Sequence, residues 1–302
     1  MSQIQNALLI GMLLSFTLLE YAMRRAQKFQ ATAADNTLDL LGFALLAVFS
    51  QPLILWLSSQ IGLAVAPHMQ NALADLPWYA MVGLLLIFDD MLQYWWHRAS
   101  HSPLLWPLHR AHHSATYMSA RMIYRNNFFY YLGMPAIWMS GVLVYLGLGE
   151  VYLVYILIKL SVIAGAHSAV RWDEPLLKIK ALAPLMWVVQ RTISTPTTHY
   201  AHHAMTDQDG IGHYKGNFGN LLFFWDVLFG TAYITPYYPA KVGLRDDELF
   251  GAEKWWVQLF YPIFRSRRVH SAMVPGGKPY EEPLGSGLDM TDLKLENRHV
   301  KT

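Results

Sequence analysis

Five apolar runs separated by polar segments organise this chain. They lie at residues 4–22, 38–66, 78–96, 132–148 and 151–166, and the short Gly-rich turn Gly147-Leu-Gly149-Glu150 joins the last two. A helix of about 20 predominantly apolar residues is long enough to cross the hydrocarbon core of a bilayer, so the pattern predicts five transmembrane helices. The second run is long for one span, and its polar stretch Ser58-Ser59-Gln60 predicts a helix followed by an interfacial segment.

The basic residues orient these helices, because lysine and arginine are enriched in cytoplasmic segments. If the amino terminus lies outside, all 23 Lys and Arg residues fall in cytoplasmic segments except Lys159, which lies inside the last helix. The sequence therefore predicts an external amino terminus, a cytoplasmic carboxyl terminus and a location in the inner membrane of a bacterium.

Composition agrees with a membrane protein and limits its chemistry. Of the 302 residues, 54% are hydrophobic and only 15% are charged. The net charge of +2 is too small to indicate a nucleic-acid partner. No cysteine is present, which excludes disulfides and thiolate-bound metal and leaves imidazole and carboxylate as the plausible ligands.

Three histidine groups stand out, one with the pattern HxxxH and two with the pattern HxxHH. Spacings of three and four place side chains on one face of a helix. All three groups fall on the predicted cytoplasmic side, at the ends of the apolar helices. They comprise His97 and His101, then His109, His112 and His113, and finally His199, His202 and His203.

A single histidine, such as His68, His270 or His299, is expected to be a surface or hydrogen-bonded residue. Clustered histidines instead favour a metal. A structural zinc takes four protein ligands and a catalytic zinc about three, so eight histidines fit two ions. The chain has no HExxH, no Glu-x-x-His pair and no CxxCH motif, which leaves a histidine-rich pair of irons. Zinc is possible as a substitute in purified protein, because it can displace iron from imidazole sites.

Two aspartates interrupt the third apolar run. Asp89 and Asp90 are either capping or snorkelling residues or functional groups, since ionisable side chains at membrane depth are functional candidates. Asp90 is the candidate catalytic residue. It is expected to accept a hydrogen bond from the second ring nitrogen of a histidine ligand, or to pair with Arg or Lys. His167, at the cytoplasmic end of the fifth helix, is a ninth candidate ligand.

Six segments in this order resemble the fatty acid hydroxylase and sterol desaturase superfamily. They are DMLQYWWHRASH (90–101), HRAHH (109–113), HSAVR (167–171), TPTTHYAHH (195–203), NFG (217–219) and FWDVLFGT (224–231). That superfamily consists of membrane-bound, non-haem di-iron oxidases that use oxygen and electrons to hydroxylate, demethylate or desaturate sterols and acyl lipids.

The resemblance implies two iron ions and a set of ligands. The matching positions are His97, His101, His109, His112, His113, His167, His199, His202 and His203. Family members often carry another histidine one turn from the equivalent of His167. Ile163 and Arg171 occupy those positions here, so the ligand set is smaller or His213 completes it. The expected partners are a lipid substrate from the bilayer, O2 and a separate electron donor of cytochrome b5, ferredoxin or reductase type, because the His-Pro-Gly-Gly motif of a fused cytochrome b5 domain is missing.

These observations predict an all-α protein, a multi-pass membrane helical bundle with a cytoplasmic histidine-rich helical cap that holds a di-metal site. Its regions are an amino-terminal transmembrane region (1–76), a catalytic region (77–235), and an interfacial helix at 254–264 with a peripheral tail (236–302). The predicted function is O2-dependent hydroxylation of an acyl lipid or sterol-like substrate. Desaturation on the same site, a metal-ion transporter and a membrane zinc hydrolase are the alternatives.

Overall fold

The computed structural model describes residues 11, 14–16, 18–23 and 31–280. Within these ranges the chain is all-helical, with two isolated β-bridges and no named strand, which confirms the all-α part of the predicted fold class. Residues 14–16 and 18–23 are helical, as predicted for the first apolar run. The rest of that run and the tail from residue 281 lie outside the described residues.

The first long helix, α1, spans Ala33–Val65. It begins with a capping box, in which Thr32 and Asp35 satisfy each other's backbone N–H groups. It continues without a break through Ser58-Ser59-Gln60, so the prediction of a helix followed by an interfacial segment was wrong. Ser58 is buried, and a side chain at Gly141 would collide with its hydroxyl group. The missing side chain of a distant glycine thus makes room for this serine.

The second long helix, α2, covers residues 78–100 in three parts. Trp78–Leu85 and Leu92–Ser100 are α-helical, and a wider π-helical turn, Leu86–Met91, joins them. Asp89 and Asp90 lie in this turn, and both are buried. Two short helices follow, α3 (Trp106–His113) and α4 (Phe128–Leu132).

A helical hairpin comes next. The run Pro135–His167 is, with α1, one of two described helices long and apolar enough to cross a membrane. It is interrupted at Gly147, whose φ of 113° is non-helical. Ser140 and Tyr155 both donate hydrogen bonds to Asp89, although a straight helix would separate them by ~22 Å. The run is therefore two antiparallel helices, α5 (residues 135–148) and α6 (Gly149–His167), with the turn where the sequence predicted it.

Six shorter α-helices follow in the rest of the described chain. They are α7 (Asp173–Leu177), α8 (Ala183–Thr192), α9 (Pro196–His202), α10 (Phe224–Phe229), α11 (Arg245–Phe250) and α12 (Trp255–Phe260). The predicted interfacial helix at 254–264 is helical only in α12. Its Leu259 packs in a small core with Leu38 of α1 and Ala111 of α3, while Ile263 and Phe264 just beyond it are exposed.

Candidate metal centre

The nine predicted ligands converge into two groups. Within each group the candidate ligand atoms all lie within 4.8 Å of one another, and every ring is buried except that of His101, which is half-buried. The larger group, the five-histidine cluster, contains His97, His101, His109, His113 and His202. The smaller one, the four-histidine cluster, contains His112, His167, His199 and His203.

Four helices supply these rings, and their ends are locally fixed. His97 and His101 lie at the end of α2, and His167 is the last residue of α6. Helix α9 begins with a capping box between Thr195 and Thr198 and with proline in its first turn. Each HxxHH motif contributes to both clusters, because successive side chains of a helix point in different directions.

Acceptors on the far side of the rings hold their orientation. His97 Nδ1 lies 2.7 Å from the carbonyl of Phe218, and His202 Nδ1 lies 2.7 Å from that of Gly216. The Nδ1 atoms of His112 and His167 likewise contact the carbonyls of Met122 (3.2 Å) and Ile163 (2.8 Å), and His109 Nδ1 contacts Asn126 Oδ1 (2.9 Å). A carbonyl oxygen only accepts, so the proton of these neutral rings is on Nδ1 and Nε2 presents a lone pair.

These lone pairs point at one another. The Nε2 atoms of His97 and His202 are 3.0 Å apart, and those of His112 and His167 are 3.2 Å apart. With both Nδ1 atoms protonated, neither neutral pair has a proton to share. Two imidazoles bound to one ion at about 2.1 Å and roughly a right angle would place their nitrogens ~3 Å apart. The donor set therefore fits metal ions.

Electrostatics keep the rings in the form that binds metal. Burial lowers the pKa of His112, His199 and His203 well below the usual value, and neighbouring imidazoles lower it further. The Nε2 atom of His101 is buried, and no described residue forms a hydrogen bond with it. Neutral imidazole is the ligand form of histidine, so the clusters are arranged for cations rather than for protons.

Asp90 contacts a loop rather than a histidine in the part of the chain that the structure describes. Its carboxylate accepts hydrogen bonds from the amides of Leu221 (3.2 Å) and Leu222 (3.0 Å) and from the indole of Trp225 (2.8 Å). Lys159 Nζ lies 3.7 Å away, which is the predicted pairing with a lysine. The loop also carries Phe218, whose carbonyl contacts His97, so Asp90 is connected to a candidate ligand only through this loop. A direct catalytic role for Asp90 stays a prediction.

The sequence did not single out three residues that support the clusters. Asp226 accepts hydrogen bonds from the amides of Phe218 and Gly219, at 2.8 and 2.6 Å. Asn126 orients His109, and Glu20 accepts from Ser119 and Ser168 and from the amides that follow them. Asp226 belongs to a motif and Glu20 interrupts an apolar run, which are weak signals. Asn126 has none.

The remaining described histidines, including His68 and His270, lie outside both clusters. The ring of His213 packs against Tyr233, with 5.3 Å between the ring centroids. His299 lies beyond the described residues.

A cavity of about 280 Å³ adjoins the clusters. At one end it is lined by His97, His109, His112 and His167. It extends between α1, α2 and α6 through the apolar side chains of Leu46, Ile137, Leu160 and Ile163, and reaches Gln51, Asp89, Tyr152 and Lys159.

The described fold and the paired histidine clusters define an all-helical protein with a candidate two-metal centre made of nitrogen ligands. Residues 82–231, which contain the whole centre, match the fatty acid hydroxylase family. The chain belongs to the fatty acid hydroxylase and sterol desaturase superfamily. No curated protein and no solved structure matches it significantly. Membership implies an oxidoreductase of the membrane lipid hydroxylase or desaturase type.

Proposed function

We propose that this protein is a membrane-bound, non-haem di-iron oxidase that uses O2 and external electrons to hydroxylate an acyl lipid or sterol-like substrate at an unactivated C–H bond. The observation that carries the proposal is the convergence of Nε2 lone pairs in two adjacent clusters. Five imidazoles would hold one iron and four would hold the other. When bound, the irons supply the reduction of oxygen and the oxidation of the C–H bond.

The chain's own residues prepare this chemistry. Carbonyls of Phe218, Gly216, Met122 and Ile163 fix the rings, so little reorganisation is needed when metal binds. The ring of Tyr130 stacks on His109 with 5.1 Å between centroids, which helps to exclude water from that side. The apolar cavity wall then aligns one methylene of a substrate with the clusters.

The substrate enters this cavity from the bilayer. Val48 of α1 lines the cavity and is 75% exposed. In a membrane this face of α1 contacts lipid chains rather than water. A long apolar substrate can therefore pass from the lipid to the histidines without crossing an aqueous phase.

The arrangement of the centre favours an oxidase over a transporter. The histidines lie at the ends of α2 and α6 and in the helices around them. Sites of transporters lie near the bilayer midplane, typically between repeated halves. Desaturation remains the alternative reaction on the same site, because both outcomes begin with removal of hydrogen from an unactivated carbon.

The cellular setting follows the same proposal. We place the chain in the inner membrane of a bacterium as a multi-pass protein with the metal centre on the cytoplasmic side. A separate donor of cytochrome b5, ferredoxin or reductase type would deliver electrons to that side.

The experiment compares lipids from cells that express the wild-type chain with lipids from cells that express His113→Ala, both grown under isotopically labelled O2. A gain of one labelled oxygen marks hydroxylation, and a loss of two hydrogens marks desaturation. We expect one of these changes only with the wild-type chain. Identical lipid profiles from both strains, at equal protein levels in the membrane, would contradict the proposal.

A further inference from the structure

A network of polar side chains is buried between α2, α5 and α6, at the end of the cavity away from the histidines. Asp89 accepts hydrogen bonds from Ser140 (3.0 Å), from Tyr155 (2.6 Å) and from the ammonium group of Lys159. Gln51 contacts the hydroxyl of Tyr152 at 3.5 Å. We call the four members that line the cavity, Gln51, Asp89, Tyr152 and Lys159, the Lys159 cluster.

The Lys159 cluster lies at a fixed distance from the metal centre. Lys159 and His167 are eight residues apart on α6, which corresponds to ~12 Å along the axis. Leu160 and Ile163 line the cavity between them. A lipid bound with a polar group at Lys159 would therefore present to the histidines a carbon that lies ~12 Å further along its chain.

The charges of the network exclude an anionic group. Two carboxylates, those of Asp89 and Asp90, face the single ammonium of Lys159, and Asp90 lies 3.7 Å from it. Lys159 is the only lysine or arginine among the described residues that line the cavity, so a third carboxylate would be unbalanced there. An unbalanced buried charge is costly at this depth.

An apolar hydrocarbon group does not match the polar side chains of the Lys159 cluster either. An ammonium group has three donors, and among the described residues Asp89 and Asp90 are the only anions paired with Lys159. Gln51 adds an amide whose one contact, with Tyr152, is long. Donors left without acceptors in an apolar environment cost free energy, whereas a neutral hydroxyl or carbonyl group would accept from them.

We propose that the Lys159 cluster binds a neutral hydroxyl or carbonyl group of a long-chain lipid and thereby selects the carbon that faces the metal centre. The choice of carbon rests on the proposed oxidase function. The binding preference does not, because it needs neither metal nor turnover.

Direct binding tests the proposal on the full chain in lipid nanodiscs, with radiolabelled hexadecanol, hexadecanoate and hexadecane as probes. We expect the wild-type chain to bind hexadecanol about tenfold more tightly than either of the others, which equals about 1.4 kcal/mol. Gln51→Leu should reduce this preference, and the charge-neutral double variant Asp89→Asn/Lys159→Met should abolish it.

Gln60→Leu is the matched control, since it makes the same change on an exposed face of α1, away from the cavity. It should keep the full preference. If the network only stabilises the packing of the helices, the double variant will lose thermal stability, but every variant that folds will keep the wild-type preference for hexadecanol. That result would contradict the proposal. Equal binding of all three probes to the wild-type chain would also overturn it. A preserved preference in a chain that oxidises no lipid would refute the proposed function and leave this subsite intact.

Discussion

At the scale of single residues, backbone carbonyls set the tautomer of four rings in the centre. Four of the rings use a carbonyl oxygen as the acceptor of Nδ1–H, and these acceptors cannot be removed by mutation. His109 differs, because its acceptor is the side chain of Asn126. Mutation of this asparagine is therefore the most direct way to change the orientation of a candidate ligand.

Asn126→Ala should lower metal affinity or turnover about 10- to 100-fold, the usual effect of losing the acceptor of a ligating histidine. Asn126→Asp keeps an oxygen at the same place and should retain more of both. Metal titration of the two variants, with unfolding curves to check the fold, measures the difference. Wild-type affinity in the alanine variant would show that Asn126 does not orient His109.

Asp90→Asn tests the indirect role of this carboxylate. The carboxylate faces three N–H donors, from Leu221, Leu222 and Trp225. An amide offers one oxygen and places its own N–H groups against the remaining donors. We expect a displaced loop, lower iron occupancy and lower activity, with normal membrane insertion. Unchanged metal content and turnover would reduce Asp90 to a polar residue that only packs the bundle.

At the scale of elements, features set by neighbouring residues could be predicted from the sequence, whereas contacts between residues far apart in the chain could not. The α5–α6 turn was visible in the sequence because Gly147 and Gly149 interrupt an apolar run. The course of α1 through Ser58 was not, because the partner that makes room for this serine is Gly141, far along the chain. Similarly, HxxHH spacing predicted that these histidines converge, whereas the contact of Asn126 with His109 is a tertiary contact with no sequence signature.

The two glycines of the hairpin turn provide a matched pair of variants. Gly147 has a φ of 113°, and a Cβ there would lie 2.9 Å from the backbone nitrogen of Ala74. Gly149 is helical, and the nearest atom to its Cβ would be 3.9 Å away. Gly147→Ala should therefore cost about 1–3 kcal/mol of stability, and Gly149→Ala should be neutral or slightly stabilising. Unfolding midpoints in detergent measure both, and equal midpoints would contradict the strained turn.

At the scale of the whole molecule, the charge distribution predicts on which side of the membrane the histidines lie. The lysine and arginine distribution predicts a cytoplasmic centre, and the structure gathers all nine histidines at one end of α2 and α6. All-helical architecture and the clustering of the candidate histidines were predictable from periodicity and motifs. The cavity and the Lys159 cluster were not, because they arise from residues of separate helices that share no motif.

A pair of reporters tests this orientation. A reporter that is active only in the cytoplasm should be active when it is fused to the carboxyl terminus and inactive when it is fused to the amino terminus. The reason is that nearly all basic residues then remain on the cytoplasmic side. If a reporter that is active only outside the cytoplasm were active at the carboxyl terminus, the predicted topology would be wrong.

The central claim, a paired iron centre built by nine histidines, is tested most directly by the metal content of the full chain purified without chelators and reconstituted anaerobically with ferrous iron. We expect two irons per chain. His113→Ala and His203→Ala, which each remove one ligand from a different cluster, should each lower that number while the protein still inserts, because insertion depends on the apolar helices. A wild-type chain that binds one iron or none under these conditions would contradict the account.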